Sequence, residues 1–445
     1  MIFPIPSPAD WRGLAEKALK DRPLESLVHL DADSLAVRPL YAAATGGQPV
    51  FAPRPSDAEG RAWDVRTLVE GDDAAAMNAA VLSDLEGGAA SVLLKGAVLS
   101  DSEPLSRALE GVALELAAIG LDAGLDGPDA ANALAVAAKG SPRAKLMFHM
   151  DPLSAFAEAG AAPRAIDEHL MLAANTAARH AGAYPEASFF LAGGRGVHEA
   201  GGSIAQELGF AAANAVALVK AAIAAGMTAE AALKGTVLGV SLDQEYFDGL
   251  AKVRALRLMW RTLSRAFGAE TPAVIEARSA GYAGAVGGAD AVVLDGLSRA
   301  NGRSDAFARR QARNTQAVLM EEAQLGRVDD PAAGSWFLDA RTRDLAEAGW
   351  AEFQRIEGEG GLVVALRTGD IQDRVAAARA EREMALASGA SQLVGVTKYV
   401  DPDPRAAPFE AEPARSPQAG GDACDPLTPI RLAAPFETQK WEAGQ

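Results

Sequence analysis

A chain of 445 residues with 49% hydrophobic side chains exceeds one typical domain, yet a single α/β barrel with extensions can use that length. A formal charge of −17 argues against an electrostatic grip on nucleic acid or an anionic membrane, since both need clustered Lys and Arg. The single cysteine, Cys424, excludes an intrachain disulfide framework and a Cys-based zinc site, so reducing cytoplasm is the expected compartment.

The opening residues, MIFPIPSPADW, lack a basic region followed by an apolar one and do not read as a secretory signal. No uncharged apolar run reaches the roughly 18 residues of a membrane-spanning helix, so no membrane partner is expected. Residues 1–60 read as an extension, with a helix near 9–19 and then an irregular Pro- and Gly-rich stretch. From 61 to 330 short apolar runs alternate with longer segments of helical period, the mark of a parallel sheet with crossover helices.

Eight such runs fall at 64–69, 91–95, 119–123, 144–150, 187–192, 236–242, 273–277 and 289–294. Helices are expected near 73–86, 104–118, 128–139, 152–182, 201–226, 245–267 and 304–324. Eight buried strands in βα alternation fit a closed (β/α)8 TIM-type barrel better than an open sheet, although periodicity alone does not show closure. One link does not fit: only residues 278–288 (RSAGYAGAVGG) join the seventh and eighth runs, short for a parallel crossover. Either this pair is joined irregularly or one strand is misassigned. Residues 331–400 hold further helices near 340–357 and 370–388. Residues 401–445 form a Pro-rich tail with eight prolines between Pro402 and Pro435, incompatible with regular helix. The end of this tail, 427–437, is apolar enough to dock.

Barrel function belongs at the C-terminal ends of strands. Arg66, in the first strand, suits a phosphate or carboxylate ligand, and equally a carboxylate within the barrel. His149 ends the fourth strand and is either a pocket residue or a hydrogen-bonded structural histidine. The loop 193–202 (GGRGVHEAGG) carries Arg195 and His198 among glycines that permit close backbone approach to a ligand, or simply a tight turn. Asp243, with Glu245, closes the sixth strand, where paired acids suit general acid/base chemistry, or are simply favoured at a helix start by its dipole. Arg278 directly follows the seventh. The segment 251–260 (AKVRALRLMW) reads as a solvated or interface helix. Five histidines without metal-ligand spacing leave a metal site unsupported.

Several segments together carry a family resemblance: 63–66 (WDVR), 198–202 (HEAGG), 251–260, 313–316 (RNTQ), 327–335 (RVDDPAAGS) before Trp336, and 394–399 (VGVTKY). In this order, over roughly residues 10–400, the chain resembles the methylmalonyl-CoA mutase family. The resemblance implies a (β/α)8 barrel and radical interconversion of branched and linear acyl-CoA thioesters, methylmalonyl-CoA and succinyl-CoA. It also implies substrate threaded through the barrel axis, with adenosylcobalamin held between the barrel and a C-terminal flavodoxin-like domain.

The chain departs from the family's active pattern. Leu68 stands at the position of a cofactor-displacing tyrosine, and Arg195–Gly196 at that of a Tyr-His pair. Residues 51–56 (FAPRPS) replace a CoA-holding T-R-G-P-Y, and the short seventh-to-eighth link replaces a longer insertion. No D-x-H-x-x-G of a cobalamin domain is present; 167–169 (DEH) opens like one but is followed by Leu172. The resemblance therefore implies a small, non-catalytic subunit, paired in a heterodimer with a large catalytic subunit. That partner would bind the adenosylcobalamin; this chain would have no catalytic residues and hold no cofactor alone. The alternatives are a barrel active with a separately encoded cobalamin-binding subunit, or a stand-alone acyl-CoA- or phosphate-binding barrel using Arg66, Arg195 and Arg278.

Overall fold

The computed structural model describes residues 6–42, 49–54, 60–279, 281–400, 409–410 and 420–441. Eight parallel strands form a closed barrel: β1 Asp64–Glu70, β2 Ser91–Lys95, β3 Ala118–Leu121, β4 Leu146–Met150, β5 Ser188–Gly193, β6 Thr236–Leu242, β7 Ile275–Ser279 and β8 Ala291–Val293. Every apolar run of the sequence is a strand here. Each is sheathed by helices on its outer face and by side chains of the barrel interior on the other, which is why the runs are apolar and seldom alternate. β6 is buried along its whole length. Closure is made by β8, which pairs with β1 through Ala291↔Asp64, Val292↔Val65 and Val293↔Arg66, and with β7 on its other side.

The short link before β8 is not a misassigned strand but the irregular joining that was the other expectation. It is a small helix, Gly281–Gly287. Its glycines let it lie almost in contact with its neighbours: a Cβ at Gly287 would stand 3.2 Å from Leu250 Cα, and one at Gly284 would stand 3.3 Å from Ala277 Cβ. Close approach to β7 and to the helix Tyr246–Ala266 shortens the path enough for so few residues to cross.

Two expected helices differ from their reading. The one expected over 152–182 is two, Pro152–Ala159 and Ile166–Ala181, because Gly160 ends the first in the left-handed conformation and Pro163 cannot continue it. The one expected over 104–118 is only Ser102–Ala108. The loop 193–202 is mostly a helical turn, Arg195–Glu199, before the helix Ile204–Ala224 starts on a Ser203–Gln206 capping box. That helix is long and apolar enough to span a membrane, yet it carries Glu207 and lies mostly buried in the fold.

The basic segment 251–260 overturns its reading as a solvated or interface helix. Lys252, Arg254 and Arg257 are all buried. Arg254 Nε meets Asp330 at 2.9 Å and its Nη2 meets Asp339 at 2.9 Å; Arg257 meets Asp290 at 2.7 Å. The Arg254 pairs join the barrel to the outer helix Trp336–Gly358, which is followed by the helices Leu362–Thr368 and Asp370–Ala387. Gly209 faces Glu352 and Gly349 faces Leu208 so closely that a Cβ at either would fall within 2.5 and 2.8 Å of a side-chain carbon, so small residues set this helix spacing.

In the tail, residues 401–408, 411–419 and 442–445 lie outside the described residues. The remainder docks as its apolar end suggests, on the barrel itself. Ala423 bridges Ala161 antiparallel, and Leu427 is 3% exposed, with its N–H bonded to Ala157 O at 2.7 Å. One correction applies: a helix, Ala434–Trp441, does form, with Pro435 in its first turn, where a missing N–H is harmless.

Candidate functional site

Period-two alternation along β1 turns Asp64, Arg66, Leu68 and Glu70 toward the barrel axis. Arg66 donates from Nη1 to Glu276 Oε2 at 2.5 Å, from Nη2 to Asp64 Oδ2 at 2.6 Å and from Nε to Ser91 Oγ at 2.8 Å. Burial opposes its charge, but the two carboxylates outweigh burial and hold the guanidinium protonated. Of the two readings of Arg66, the carboxylate inside the barrel is the one present.

Higher in the barrel, His149 is 5% exposed, with φ at 46° in the left-handed region. Neither ring nitrogen has a hydrogen-bond partner among the described residues. Burial, reinforced by the Arg66 charge, pulls its pKa to about 3, so the ring is neutral. It is thus not a paired structural histidine among the described residues, and it lies outside the cleft that holds His198. Arg278 Nη2 stands 3.5 Å from Asp122 Oδ2. At the mouth Arg195 lies 3.5 Å from Glu199 and 3.9 Å from Glu158, and Glu70 lies 3.7 Å from Lys95 and 3.4 Å from Arg299. From floor to mouth the interior is crossed by mutually paired charges.

His198 and Asp243 leave this axis and meet in a cleft of about 130 Å³ between the loops after β5 and β6. Asp31 and Asp33 of the N-terminal extension, with Arg341 and Arg382, complete its walls. His198 Nδ1 lies 3.4 Å from Lys252 Nζ and its Nε2 lies 3.9 Å from Asp243 Oδ2. Burial and the neighbouring Lys252 charge push the His198 pKa well down. Beneath it Lys252 donates to Glu207 at 2.5 Å and to Ser241 O at 2.8 Å, while Glu207 accepts the Ser241 N–H at 2.6 Å. Arg382 approaches Asp243 at 3.7 Å, so Asp243 does more than start a helix. The six residues singled out in the sequence therefore divide: Arg66, His149 and Arg278 line the interior, Arg195 the mouth, and His198 with Asp243 the cleft. Glu207 and Lys252 were missed. A single acid inside an otherwise apolar helix was the available signal, since a buried carboxylate needs a partner.

Gly196, where the resemblance implies a larger side chain in active members, is tightly enclosed. A Cβ at Gly196 would meet Glu158 Cγ at 3.1 Å, so a larger side chain there requires Glu158 to move. The tail crosses the mouth: Ile430 N–H bonds to Glu199 O at 2.8 Å after β5, and Arg431 reaches Asn301 Oδ1 at 3.2 Å after β8. No cluster of three or more His, Cys, Asp or Glu able to hold a metal occurs among the described residues.

The sequence profile of the family described as methylmalonyl-CoA mutase matches residues 94–281 and 274–419. The chain is 35% identical to a methylmalonyl-CoA mutase small subunit of Streptomyces virginiae, over 94% of this chain and 74% of that one. It is 30% identical to the small subunit of Propionibacterium freudenreichii subsp. shermanii, over 93% and 72%. A protein of Cereibacter sphaeroides named methylmalonyl-CoA mutase is 27% identical over 87% of this chain and 64% of its own length. With the closed eight-stranded barrel beneath them, these likenesses establish that the chain belongs to the methylmalonyl-CoA mutase family.

Proposed function

We propose that this chain is the small, non-catalytic subunit of a heterodimeric, adenosylcobalamin-dependent methylmalonyl-CoA mutase. A large partner subunit binds the cofactor and interconverts methylmalonyl-CoA and succinyl-CoA. The observation that carries this reading is the Arg66 cluster. A guanidinium saturated by Asp64, Glu276 and Ser91 lies across the interior through which an acyl-CoA would thread. Leu68 and Gly196 support it, because neither offers a phenol or an imidazole.

The residues at the mouth do not fit a corrinoid. Arg195, Glu199 and Glu158 are engaged with one another, and the tail main chain lies on Glu199. Cofactor chemistry is accordingly assigned to the partner. A stand-alone acyl-CoA or phosphate barrel finds no support in the arginines that would serve it, since Arg66, Arg195 and Arg278 each face carboxylates already.

The test is co-expression with a large subunit, followed by light scattering and mutase assay. A one-to-one complex is expected, with activity that disappears when the large subunit is omitted. A chain that stays monomeric and leaves the large subunit's activity and stability unchanged would sink the reading.

A further inference from the structure

The cleft beside His198 is built around a proton whose place is fixed. Lys252 Nζ donates to Glu207 Oε2 and to Ser241 O, and its third neighbour is His198 Nδ1 at 3.4 Å. An ammonium can only donate, so Nδ1 accepts and the neutral ring keeps its proton on Nε2. Nε2 faces Asp243 Oδ2 at 3.9 Å, and Arg382 Nη2 faces the same oxygen at 3.7 Å. Both gaps exceed hydrogen-bond length. Asp243 is anchored by its other oxygen, Oδ1, which accepts the Glu245 N–H at 2.9 Å. Arg341, by contrast, is held by Asp31 and Asp248, and Asp33 accepts the Ala205 N–H.

We propose that this cleft binds a small polyol through paired hydroxyls at Asp243. A hydroxyl set beside either gap accepts from the N–H and donates to Oδ2, and a carboxylate oxygen can take both donations. Two gaps converging on one oxygen therefore select two hydroxyls on one carbon skeleton. Charge and hydrogen-bond chemistry reject other small ligands. An amine can donate to Asp243 but cannot accept from Nε2–H or the guanidinium. A carboxylate or phosphate accepts from both, yet it would face Asp243 with Glu245 and Asp248 close by. Size agrees. A cavity of about 150 Å³ holds benzene, so one of about 130 Å³ admits a fragment as large as glycerol. Ala32, Gly202, Ile204 and Gly249 line it with carbon, which suits the C–H edge of a polyol.

Saturation-transfer NMR on the intact chain tests the site, with glycerol, meso-erythritol, acetate and methylammonium as separate probes. Saturable signals from the two polyols alone are expected. His198→Gln offers an acceptor to Lys252 and a donor to Asp243, and should bind glycerol within about threefold of the parent. His198→Leu should weaken glycerol binding roughly tenfold. Arg382→Met, at a partly exposed position, should lose as much, and serves alone if His198→Leu does not fold. Saturable binding of acetate or methylammonium, or of no probe, overturns the proposal. So does an unchanged glycerol affinity in folded His198→Leu or Arg382→Met, an equal loss in folded His198→Gln and His198→Leu, or a ring-nitrogen spectrum that places the His198 proton on Nδ1.

Discussion

Arg66 on β1 and Glu276 on β7 are joined across the strand that lies between them, β8, with Nη1 and Oε2 2.5 Å apart. The β8 residue at the level of both Glu276 and Asp64 is Ala291. A methyl group there leaves room for a guanidinium between two carboxylates, so the smallness of one residue and the charge of three others form a single arrangement. It places a charge pair across the barrel interior.

Removing one member of this cluster should cost more than removing two. Arg66→Met leaves Asp64 and Glu276 facing each other unpaired in the barrel floor, for a loss of about 3–5 kcal/mol. The double variant Arg66→Met/Glu276→Gln removes a second buried charge and should recover a substantial part of that loss. Urea unfolding of the single and double variants measures the coupling; strictly additive losses would contradict it.

His149 should make the protein acid-sensitive. Its folded-state pKa, about 3, lies below the ordinary value of 6.5, so between those limits the unfolded chain binds the extra proton. The contribution to stability is complete above pH 6.5 and is lost as pH falls toward 3. The loss should be on the order of 3 kcal/mol between pH 6.5 and 4. His149→Phe should flatten this part of the stability profile. The His149 ring carbon shifts, followed by NMR, should show a neutral imidazole down to about pH 4; titration near pH 6 would refute the assignment.

The barrel was legible because its signal is cumulative: eight buried runs alternating with helical segments leave few architectures. The cluster at Arg66 was half legible. Period two turned Arg66 inward, but its partner Glu276 lies some 200 residues away in sequence, and nothing local announces which carboxylate faces it. The basic residues of 251–260 misled for the opposite reason. Lys and Arg at helical spacing normally mark a wet face, and only the long-range acids Glu207, Asp330, Asp339 and Asp290 make their burial tolerable. The cleft at His198 was hidden because Asp31 and Asp33 come from an extension with little secondary structure of its own. The crossover before β8 depended on glycine contacts that no spacing rule records.

Arg254 should be replaceable by no other cation. Its guanidinium donates to Thr342 Oγ1 at 2.8 Å, Val50 O at 2.8 Å and Asp339 Oδ1 at 2.9 Å, in addition to its pair with Asp330. Lysine keeps the charge but has neither the planar fork nor the reach for these divergent acceptors. Arg254→Lys should destabilise by about 3 kcal/mol. It should also loosen the outer helices first, seen as protease cleavage within 336–387 before any loss of the barrel's far-ultraviolet signal. Simultaneous loss of both would show that the outer helices and barrel unfold as one unit.

The tail should open locally, without the barrel. Asp422 accepts the Ile166 N–H at 2.8 Å and also pairs with Arg367 at 2.5 Å, while Leu427 inserts its side chain into the core near Ala157. Leu427→Ala forfeits about 2–5 kcal/mol of packing if the segment stays in place. Detachment of a terminal segment held by so few anchors limits the loss, because opening energies in a native fold range from nearly zero up to the global value. Hydrogen exchange separates the two responses. In Leu427→Ala the amides of Ala162, Cys424, Leu427 and Ile430, all bonded along the tail, should exchange faster, while those of β1 to β8 keep their protection. Faster exchange in the strands as well would mean that the tail is a structural stave of the barrel core and not a strap laid over its mouth.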